Sequence, residues 1–266
     1  MKRIPKVDNV TLQKLHQQGL SDKELSQYFN VPNQWISIKR RKLNLIENKN
    51  STKLKKLNNE EHEILIGLLL GDGHLIKNCH SRRCGTSGSV VHGLSQKEYI
   101  EWLNLKLQRL STSIRIEHNF NKARNCIESR YAFNFNTHAC LNDYYYLFYD
   151  EEKKKHITKE IIEQLTPLSL AIWFMDDGAK INSGGYNLFT NGFSKEEQEL
   201  ILPLLQQKFE LLITLNRSSK GHSILYISAR SAKHFESIIS PYIIDFMRYK
   251  LHNKIYKNKV TRYEKD

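Results

Sequence analysis

The hydrophobic pattern of residues 1–46 predicts three short helices separated by tight breaks. An apolar stripe near the start predicts the first helix. Ser21, with Glu24 three residues later, forms a capping box that opens the second helix. After a break at residues 30–33, a third helix is predicted from about residue 34 to residue 43. Short helices in this order are typical of a helix-turn-helix.

From residue 60 onward the pattern repeats. Two strongly apolar helical stretches end in an acid followed by glycine, at Asp72-Gly73 and at Asp177-Gly178, and the two acids are 105 positions apart. Each stretch is followed by short strand-like segments and then by Gly-apolar-Ser-x-x-Glu, a capping box at Ser95 and again at Ser194. The repeat predicts two αββαββα units, and therefore an α+β fold behind a small all-α domain.

Alternating apolar and polar positions predict the strands that follow each capped helix. In the first unit they are residues 113–120 and 131–137, and in the second they are residues 211–217 and 223–228. Each unit closes with a helical segment and a lysine. The predicted domains are a helix-turn-helix module at 1–46, a polar linker at 47–59, and two subdomains at 60–165 and 166–266.

Charge favours a polyanionic partner. The formal net charge is +13, of which residues 1–60 carry +8. We expect the basic third helix to dock on double-stranded DNA through Lys39, Arg40 and Arg41. The alternative is a small helical cap in which these cations only complement the helix dipole.

The apolar runs and the cysteines of the sequence indicate the cellular compartment and bear on whether zinc is bound. The longest apolar run, Ile64–Leu70, is far shorter than the roughly twenty residues of a membrane span, and no signal-peptide core is visible. Four cysteines fit a reducing compartment, so we expect an intracellular protein of the cytoplasm, nucleoid or organelle matrix. A zinc site seeded by Cys79 and Cys84 is an open alternative, although no second pair stands at a suitable interval.

The two acid-ended helices carry the candidate chemistry. A helix that is apolar on nearly every side is buried, and small residues such as Gly67 and Ala171 allow two such helices to approach closely. Asp72 and Asp177 would then meet at the negative ends of two helix dipoles, an unfavourable arrangement that divalent cations relieve. Oxygen ligands suit Mg²⁺. The alternative is that the acids only cap loops, with left-handed glycines ending the helices.

At these residues the sequence resembles the LAGLIDADG homing endonucleases in their single-chain, two-motif form, encoded in group I introns. The resemblance covers about residues 60–255 and is carried by Leu170–Gly178 with the preceding residues 165–169, and by Phe246–Leu251. The first motif departs from the family name at Leu70 and Gly71. The acid that active members retain, just before the final glycine, is present as Asp72.

The resemblance implies a pseudo-twofold fold with two antiparallel DNA-binding sheets. It also implies cleavage of both DNA strands with short 3′ overhangs, using Mg²⁺ with Mn²⁺ as a substitute. The implied metal ligands are Asp72, Asp177 and the carbonyls of Gly71 and Asp176. The implied catalytic lysines are Lys250 and either Lys154 or Lys155, with Lys155 preferred because an apolar residue follows it two positions later.

Polar positions on the sheets are the implied readers of base edges. These residues are Arg115, Asn134, Asn136, Lys180, Asn182, Asn191, Thr214 and Asn216. Arg82 and Arg83, in the loop between the first two strands, are implied phosphate clamps.

The function that follows is a site-specific DNA endonuclease, acting as a monomer on a long asymmetric target in intron homing. Two alternatives use the same fold. One is a transcription regulator that binds DNA without cutting it, and the other is a maturase that assists splicing of its own intron RNA.

Overall fold

A computed structural model describes residues 7–17, 20–45, 56–80, 83–122, 124–217 and 221–252 of the chain. These residues form two compact units that interleave along the sequence. The first unit comprises the described parts of Met1–Asn59, with His74–Leu94 and Ile100–Tyr146. The second comprises Glu60–Gly73, Ser95–Tyr99 and the described parts of Leu147–Asp266. The subdomain boundaries predicted from the sequence stay a prediction.

The first unit begins with three short helices, α1 (Asn9–Gln17), α2 (Asp22–Phe29) and α3 (Asn33–Lys42). The predicted capping box is confirmed, because Ser21 accepts from the N–H of Glu24 while the Glu24 carboxylate accepts from the N–H of Ser21. Asn30 ends α2 in the left-handed conformation, with a φ of 51°. This residue turns the chain sharply into α3, and buried apolar side chains from all three helices form a small core. Those side chains include Leu12, Leu25, Val31 and Ile36.

The rest of the first unit is built on an antiparallel sheet with strand order β1-β2-β4-β3. Alternation along β4 sets its two faces, since Phe133 and Phe135 are buried while Asn134 and Asn136 are exposed. The strands are β1 (His74–His80), β2 (Arg83–Gly93), β3 (Arg115–Asn121) and β4 (Cys126–His138). Most of α5 (Lys97–Lys106) and of α6 (Leu141–Phe148) belongs to this unit, whereas residues 97–99 and 147–148 belong to the second.

The second unit combines the two acid-ended helices with a second antiparallel sheet, of order β5-β6-β8-β7. Phe174 of α8 packs edge to face against both Tyr186 of β6 and Phe235 of α10, and these two rings also contact each other. The helices are α4 (Asn59–Leu70), α7 (Lys159–Gln164), α8 (Pro167–Asp177), α9 (Lys195–Phe209) and α10 (Ala232–Ile239), and the strands are β5 (Gly178–Lys180), β6 (Tyr186–Leu188), β7 (Ile213–Arg217) and β8 (Ser223–Ile227).

The predicted α+β class and the repeated order of elements are confirmed, with two four-stranded antiparallel sheets among the described residues. The capping box at Ser194 is present in full. The cap predicted at Ser95 is not at a helix start, because a 3-10 turn (Leu94–Gln96) precedes α5 and contains it. None of the described helices is long and apolar enough to cross a membrane.

Candidate active site

The candidate site lies where α4 and α8 end, and every residue that forms it belongs to the second unit. The two helices approach each other closely at Gly67. A Cβ atom added at Gly67 would lie 2.5 Å from the carbonyl oxygen of Ser169 and 2.6 Å from the Cβ of Ile172, so only glycine allows this approach. The contact brings the two acidic ends together. One carboxylate oxygen of Asp72 and one of Asp176 lie within 4.8 Å of each other.

Asp176 is held by two hydrogen bonds, one from the end of α4 and one from α5. The backbone N–H of Asp72 donates to its Oδ2 at 3.1 Å, and the hydroxyl of the fully buried Tyr99 donates to its Oδ1 at 2.8 Å. Desolvation and the nearby charge of Asp72 raise the pKa of Asp176 well above its usual value. Burial also raises the pKa of Tyr99. No pattern in the sequence indicated Tyr99, which is 77 residues from its partner.

Lys155 reaches the end of α4. Its Nζ donates to the carbonyl oxygen of Gly71 at 3.0 Å and to that of Gly73 at 2.8 Å. Lys154 is exposed, and its backbone N–H binds the carboxylate of Asp150 instead. Of the two lysines that the resemblance left open, the structure therefore brings Lys155 to the site.

Lys250 makes the matching contact at the end of α8. Its Nζ donates to the carbonyl oxygens of Met175 and, at 3.2 Å, of Asp176. The chain just beyond is tied to the core of the unit. The backbone N–H of His252 donates to the Tyr186 hydroxyl at 3.0 Å and to the carboxylate of Glu236 at 3.3 Å. This buried anchor, which the sequence pattern did not indicate, holds the segment that carries Lys250.

The carboxylates of Asp72 and Asp177 and the ammonium groups of Lys155 and Lys250 are close enough to shift one another's pKa. Desolvation and then repulsion by Asp72 raise the pKa of Asp177 to about 7, although Lys155 and Lys250 lower it. Desolvation lowers the pKa of Lys155 and of Lys250, while the nearby carboxylates raise it. The two ammonium groups therefore do not fully offset the desolvation of the carboxylates and the repulsion between them.

The glycines after the two acids do not act as left-handed helix ends. Gly178 has a φ of −91° and a ψ of 149°, an extended conformation open to any residue. Space is the reason for glycine here. A Cβ at Gly178 would lie 2.0 Å from the ring of Phe174, and one at Gly73 would lie 2.8 Å from the carbonyl oxygen of Leu68. The alternative in which these residues merely supply left-handed caps is wrong.

The donor set fits a hard divalent cation. Two carboxylates, Asp72 and Asp177, stand beside the carbonyl oxygens of Gly71 and Asp176, and both carbonyls already accept from an ammonium group. An all-oxygen set that draws positive charge is the chemistry that Mg²⁺ and Mn²⁺ prefer. The carboxylate of Asp176 is engaged by Tyr99 and by the backbone of Asp72, so its carbonyl rather than its side chain is the suitable donor.

On the first sheet, the three residues implied as base readers share the polar face. Arg115 donates to the Asn134 side chain at 3.0 Å, and Asn134 and Asn136 alternate with buried phenylalanines. Arg82 lies outside the described residues, as do the side chains of Arg83, Cys79 and Cys84, so the phosphate clamps and the zinc alternative stay predictions.

On the second sheet, Lys180 is exposed, but its register differs from the polar face that the resemblance implied. Its register partner is the buried Tyr186, on the face that packs against the core, and its Nζ donates to the Leu251 carbonyl at 3.1 Å. The polar face instead contains Thr214 of β7. Thr214 pairs with Tyr226 of β8, and Tyr226 in turn pairs with Asn187 of β6, so all three share this face. The exposed residues Asn216, Asn182 and Asn191 complete the polar set on the strand and its neighbouring loops.

The basic helix α3 also differs from expectation, at Arg40 and at Lys39. Arg40 is buried, with 5% exposure, and its guanidinium binds both carboxylate oxygens of the buried Asp22 at 2.7 and 3.0 Å. Because its guanidinium is buried in this ion pair, Arg40 does not contact DNA. Lys39 is half-buried and donates to the Val7 carbonyl, whereas Arg41 is exposed.

Comparison with known proteins gives a consistent result. A family model described as the LAGLIDADG DNA endonuclease family matches residues 62–235. The chain is 30% identical over 210 residues to the cytochrome b mRNA maturase bI2 of Debaryomyces hansenii, covering 75% of this chain and 76% of the maturase. It is 27% identical over 214 residues to the RecA protein of Mycolicibacterium flavescens, covering 76% of this chain and 48% of RecA.

A solved structure is similar over the same region. The homing endonuclease I-WcaI, bound to its DNA recognition sequence, matches with a TM-score of 0.69 and 26% identity, over 77% of this chain and 92% of the endonuclease. The chain spans about half the length of the first curated relatives that it matches.

Proposed function

Because the chain belongs to the LAGLIDADG DNA endonuclease family, we propose that it is a site-specific endonuclease that makes a double-strand break with short 3′ overhangs in double-stranded DNA. The observation that carries this proposal is the pairing of one acid and one lysine at each of two adjoining helix ends. Lys155 donates to the carbonyl oxygens of Gly71 and Gly73, on either side of Asp72, and Lys250 donates to those of Met175 and Asp176, just before Asp177. Two matched sets suit two cleavage events, one on each strand, by a single chain acting as a monomer.

The metal proposed for this site is Mg²⁺, with Mn²⁺ as a substitute. Asp72 and Asp177 would hold it with the carbonyl oxygens of Gly71 and Asp176. When bound, it supplies a Lewis acid that polarises the phosphodiester and lowers the pKa of an attacking water.

The chain's own residues have two roles in hydrolysis. Water attacks phosphorus and the 3′ oxygen leaves, which places a 5′ phosphate on one product and a 3′ hydroxyl on the other. The carboxylates fix the site's charge and geometry. Lys155 and Lys250, half-buried beside the acids, donate hydrogen bonds to the attacking water or to the phosphate oxygens as negative charge develops.

Polar residues on the two sheets are the proposed readers of the target. They are Arg115, Asn134 and Asn136 on the first sheet and Asn187, Thr214, Asn216 and Tyr226 on the second, together with Asn182 and Asn191 in loops. Residues 1–46 are proposed to be a separate DNA-docking module, joined by a linker at 47–59 to catalytic subdomains at 60–165 and 166–266.

The decisive experiment is cleavage of a library of random duplex sites in Mg²⁺, followed by the Asp72→Asn and Asp177→Asn variants on the selected site. We expect the wild-type chain to cut both strands, and each variant to bind the site without making the double-strand break. Glu152→Gln, at an exposed carboxylate elsewhere in the second unit, should cut normally. Full cleavage by either aspartate variant would refute the proposal.

A maturase activity is a second candidate, supported by 30% identity to a cytochrome b mRNA maturase. The maturase candidate implies that the gene lies in an intron, and self-splicing of that intron RNA should be measured with and without the Asp177→Asn protein, which separates splicing from cutting. Faster splicing would support the maturase, and an unchanged rate would remove it. A non-cutting regulator is disfavoured because both acids and both lysines are present and brought together.

A further inference from the structure

Helix α3 presents one row of side chains away from its domain. Ile36 is fully buried, and Arg40 is tied to Asp22, so this side of the helix faces the interior. At 100° per residue, the opposite side carries Gln34, Ile38 and Arg41. All three are exposed, and Ile38 leaves 47% of its surface open to solvent.

The surroundings of this row select a polyanion as its partner. The apolar surface of Ile38 continues onto Trp35, which is 45% exposed, and Arg41 and Lys42 stand next to it at the end of the helix. An apolar patch bounded by cations is complementary to a groove whose floor carries methyl groups and whose rims carry phosphates. The major groove of DNA has both features and admits one α-helix.

The local fold supports the same partner. A turn of three residues, with Asn30 left-handed and Val31 buried, joins α2 to α3, which is the connection typical of a helix-turn-helix. In that motif the second helix lies in the major groove with its N-terminal half against base edges. Gln34 lies in this half of α3, Ile38 lies just past its middle, and Arg41 and Lys42 lie in its last turn.

We propose that α3 reads A·T base pairs in the major groove, with Gln34 contacting adenine and Ile38 contacting the 5-methyl group of thymine. This inference rests on the proposed function in one respect, that the partner is double-stranded DNA. A glutamine amide pairs with N6 and N7 of adenine, and an aliphatic side chain recognises thymine by its methyl group.

The cations of α3 divide into two kinds. Lys39 and Arg40 are engaged by groups of the protein itself, Val7 and Asp22. Arg41 and Lys42 are exposed and belong on phosphates, where they position the helix without reading sequence. The four consecutive cations therefore supply two phosphate contacts, not four.

The first test is selection of binding sites from a random duplex library by full-length protein carrying Asp177→Asn. We expect a short block containing A·T pairs, outside the segment that wild-type protein cuts. Gln34→Ala and Ile38→Ala should each lose preference at one position of this block and leave the rest of the site unchanged. Gln27→Ala, an exposed glutamine on α2 outside the row, is the matched control. Arg41→Ala should weaken binding to all sequences and flatten the salt dependence.

The second test changes single atoms of the DNA in the selected block. Uracil in place of thymine removes one methyl group, which should weaken binding of the Asp177→Asn protein about fourfold. The same change should have no effect once Ile38→Ala is added, and Ile38→Val should restore the preference for thymine. Replacing adenine by 7-deazaadenine should weaken the parent protein about tenfold and leave Gln34→Ala unaffected.

The outcomes separate this inference from the proposed function. Wild-type cutting without such a block, or equal losses from uracil with and without Ile38→Ala, would overturn the assignment of α3. A block read by Gln34 and Ile38 in a chain that cuts no DNA would sustain this inference and refute the endonuclease.

Discussion

Gly71 and Asp176 occupy equivalent positions, each just before the final aspartate of its motif. The side chain of Asp176 fills the space that Gly71 leaves by having no side chain. A Cβ at Gly71 would lie 2.4 Å from Oδ2 of Asp176 and 2.6 Å from its Cβ. The carboxyl group of Asp176 then binds the backbone N–H of Asp72 and the hydroxyl of Tyr99. The two halves of the site are therefore asymmetric at this position.

Gly71→Ala should displace Asp176 and lower both stability and cleavage. We expect a loss of about 1–3 kcal/mol in the free energy of unfolding, as is usual when a packed site receives an extra methyl group. Asp176→Gly alone should also destabilise the protein, because it removes the acceptor of the Tyr99 hydroxyl and of the N–H of Asp72. The double variant should be more stable than the sum of the two losses predicts, since the alanine at 71 then has room. Strictly additive losses in denaturant titrations would contradict this packing.

Lys155→Met and Lys250→Met should each slow cleavage on the order of a hundredfold, because each removes a donor beside the reacting phosphate. Lys154→Met is the control for Lys155, since Lys154 is its exposed neighbour. Nicking of each strand of a labelled duplex should be measured separately, with binding affinity measured in parallel. Equal rates for Lys155→Met and wild type, or a comparable loss from Lys154→Met, would contradict the roles assigned to these lysines.

The local parts of the structure were predictable and the long-range parts were not. The capping boxes at Ser21 and Ser194 depend on residues three positions apart, so the sequence displays them. The pairing of Tyr99 with Asp176, and of Arg40 with Asp22, joins residues far apart in the chain. The composition near each residue therefore gave no sign of them, and Arg40 was interpreted as a DNA contact.

Short strands explain the error at Lys180. β5 and β6 are three residues long, too short for an alternating pattern to show which side chains face the core. Register supplies that information, because pairing with Tyr186 puts Lys180 on the core face and puts Asn187 on the other. The duplicated acid-ended helices were found because they repeat, and a repeat carries long-range information that single residues lack.

The metal-free protein should lose stability as pH rises toward 8 because of Asp177. Its pKa is raised to about 7 in the folded state from 3.8, so between these values the folded protein holds a proton that the unfolded chain has released. The contribution of Asp177 to the free energy of unfolding is therefore fully present below pH 3.8 and is lost as the pH rises through 7. In EDTA, Asp177→Asn should be more stable than wild type at pH 8, by an amount on the order of 4 kcal/mol, and little different at pH 4.

Urea titrations at several pH values measure this difference, with Glu152→Gln as a control whose exposed carboxylate should change the pH profile little. Added Mg²⁺ should shrink the advantage of Asp177→Asn at pH 8, because the cation stabilises the ionised wild-type site. An Asp177→Asn protein whose stability follows wild type at every pH would contradict the electrostatic crowding at this residue.

Arg40→Ala should act on folding of the N-terminal helices rather than directly on DNA. Removing the guanidinium leaves Asp22 as a buried, unpaired carboxylate, at a cost of about 3–5 kcal/mol. Arg41→Ala, one residue later and exposed, should leave these helices folded and weaken DNA binding at low salt. Limited proteolysis of the two variants should cut within residues 20–45 only for Arg40→Ala. Replacing both Arg40 and Asp22 with leucine should restore protection, because an apolar pair removes the buried charge altogether. Equal proteolysis of Arg40→Ala and wild type would show instead that the buried pair contributes nothing to the fold.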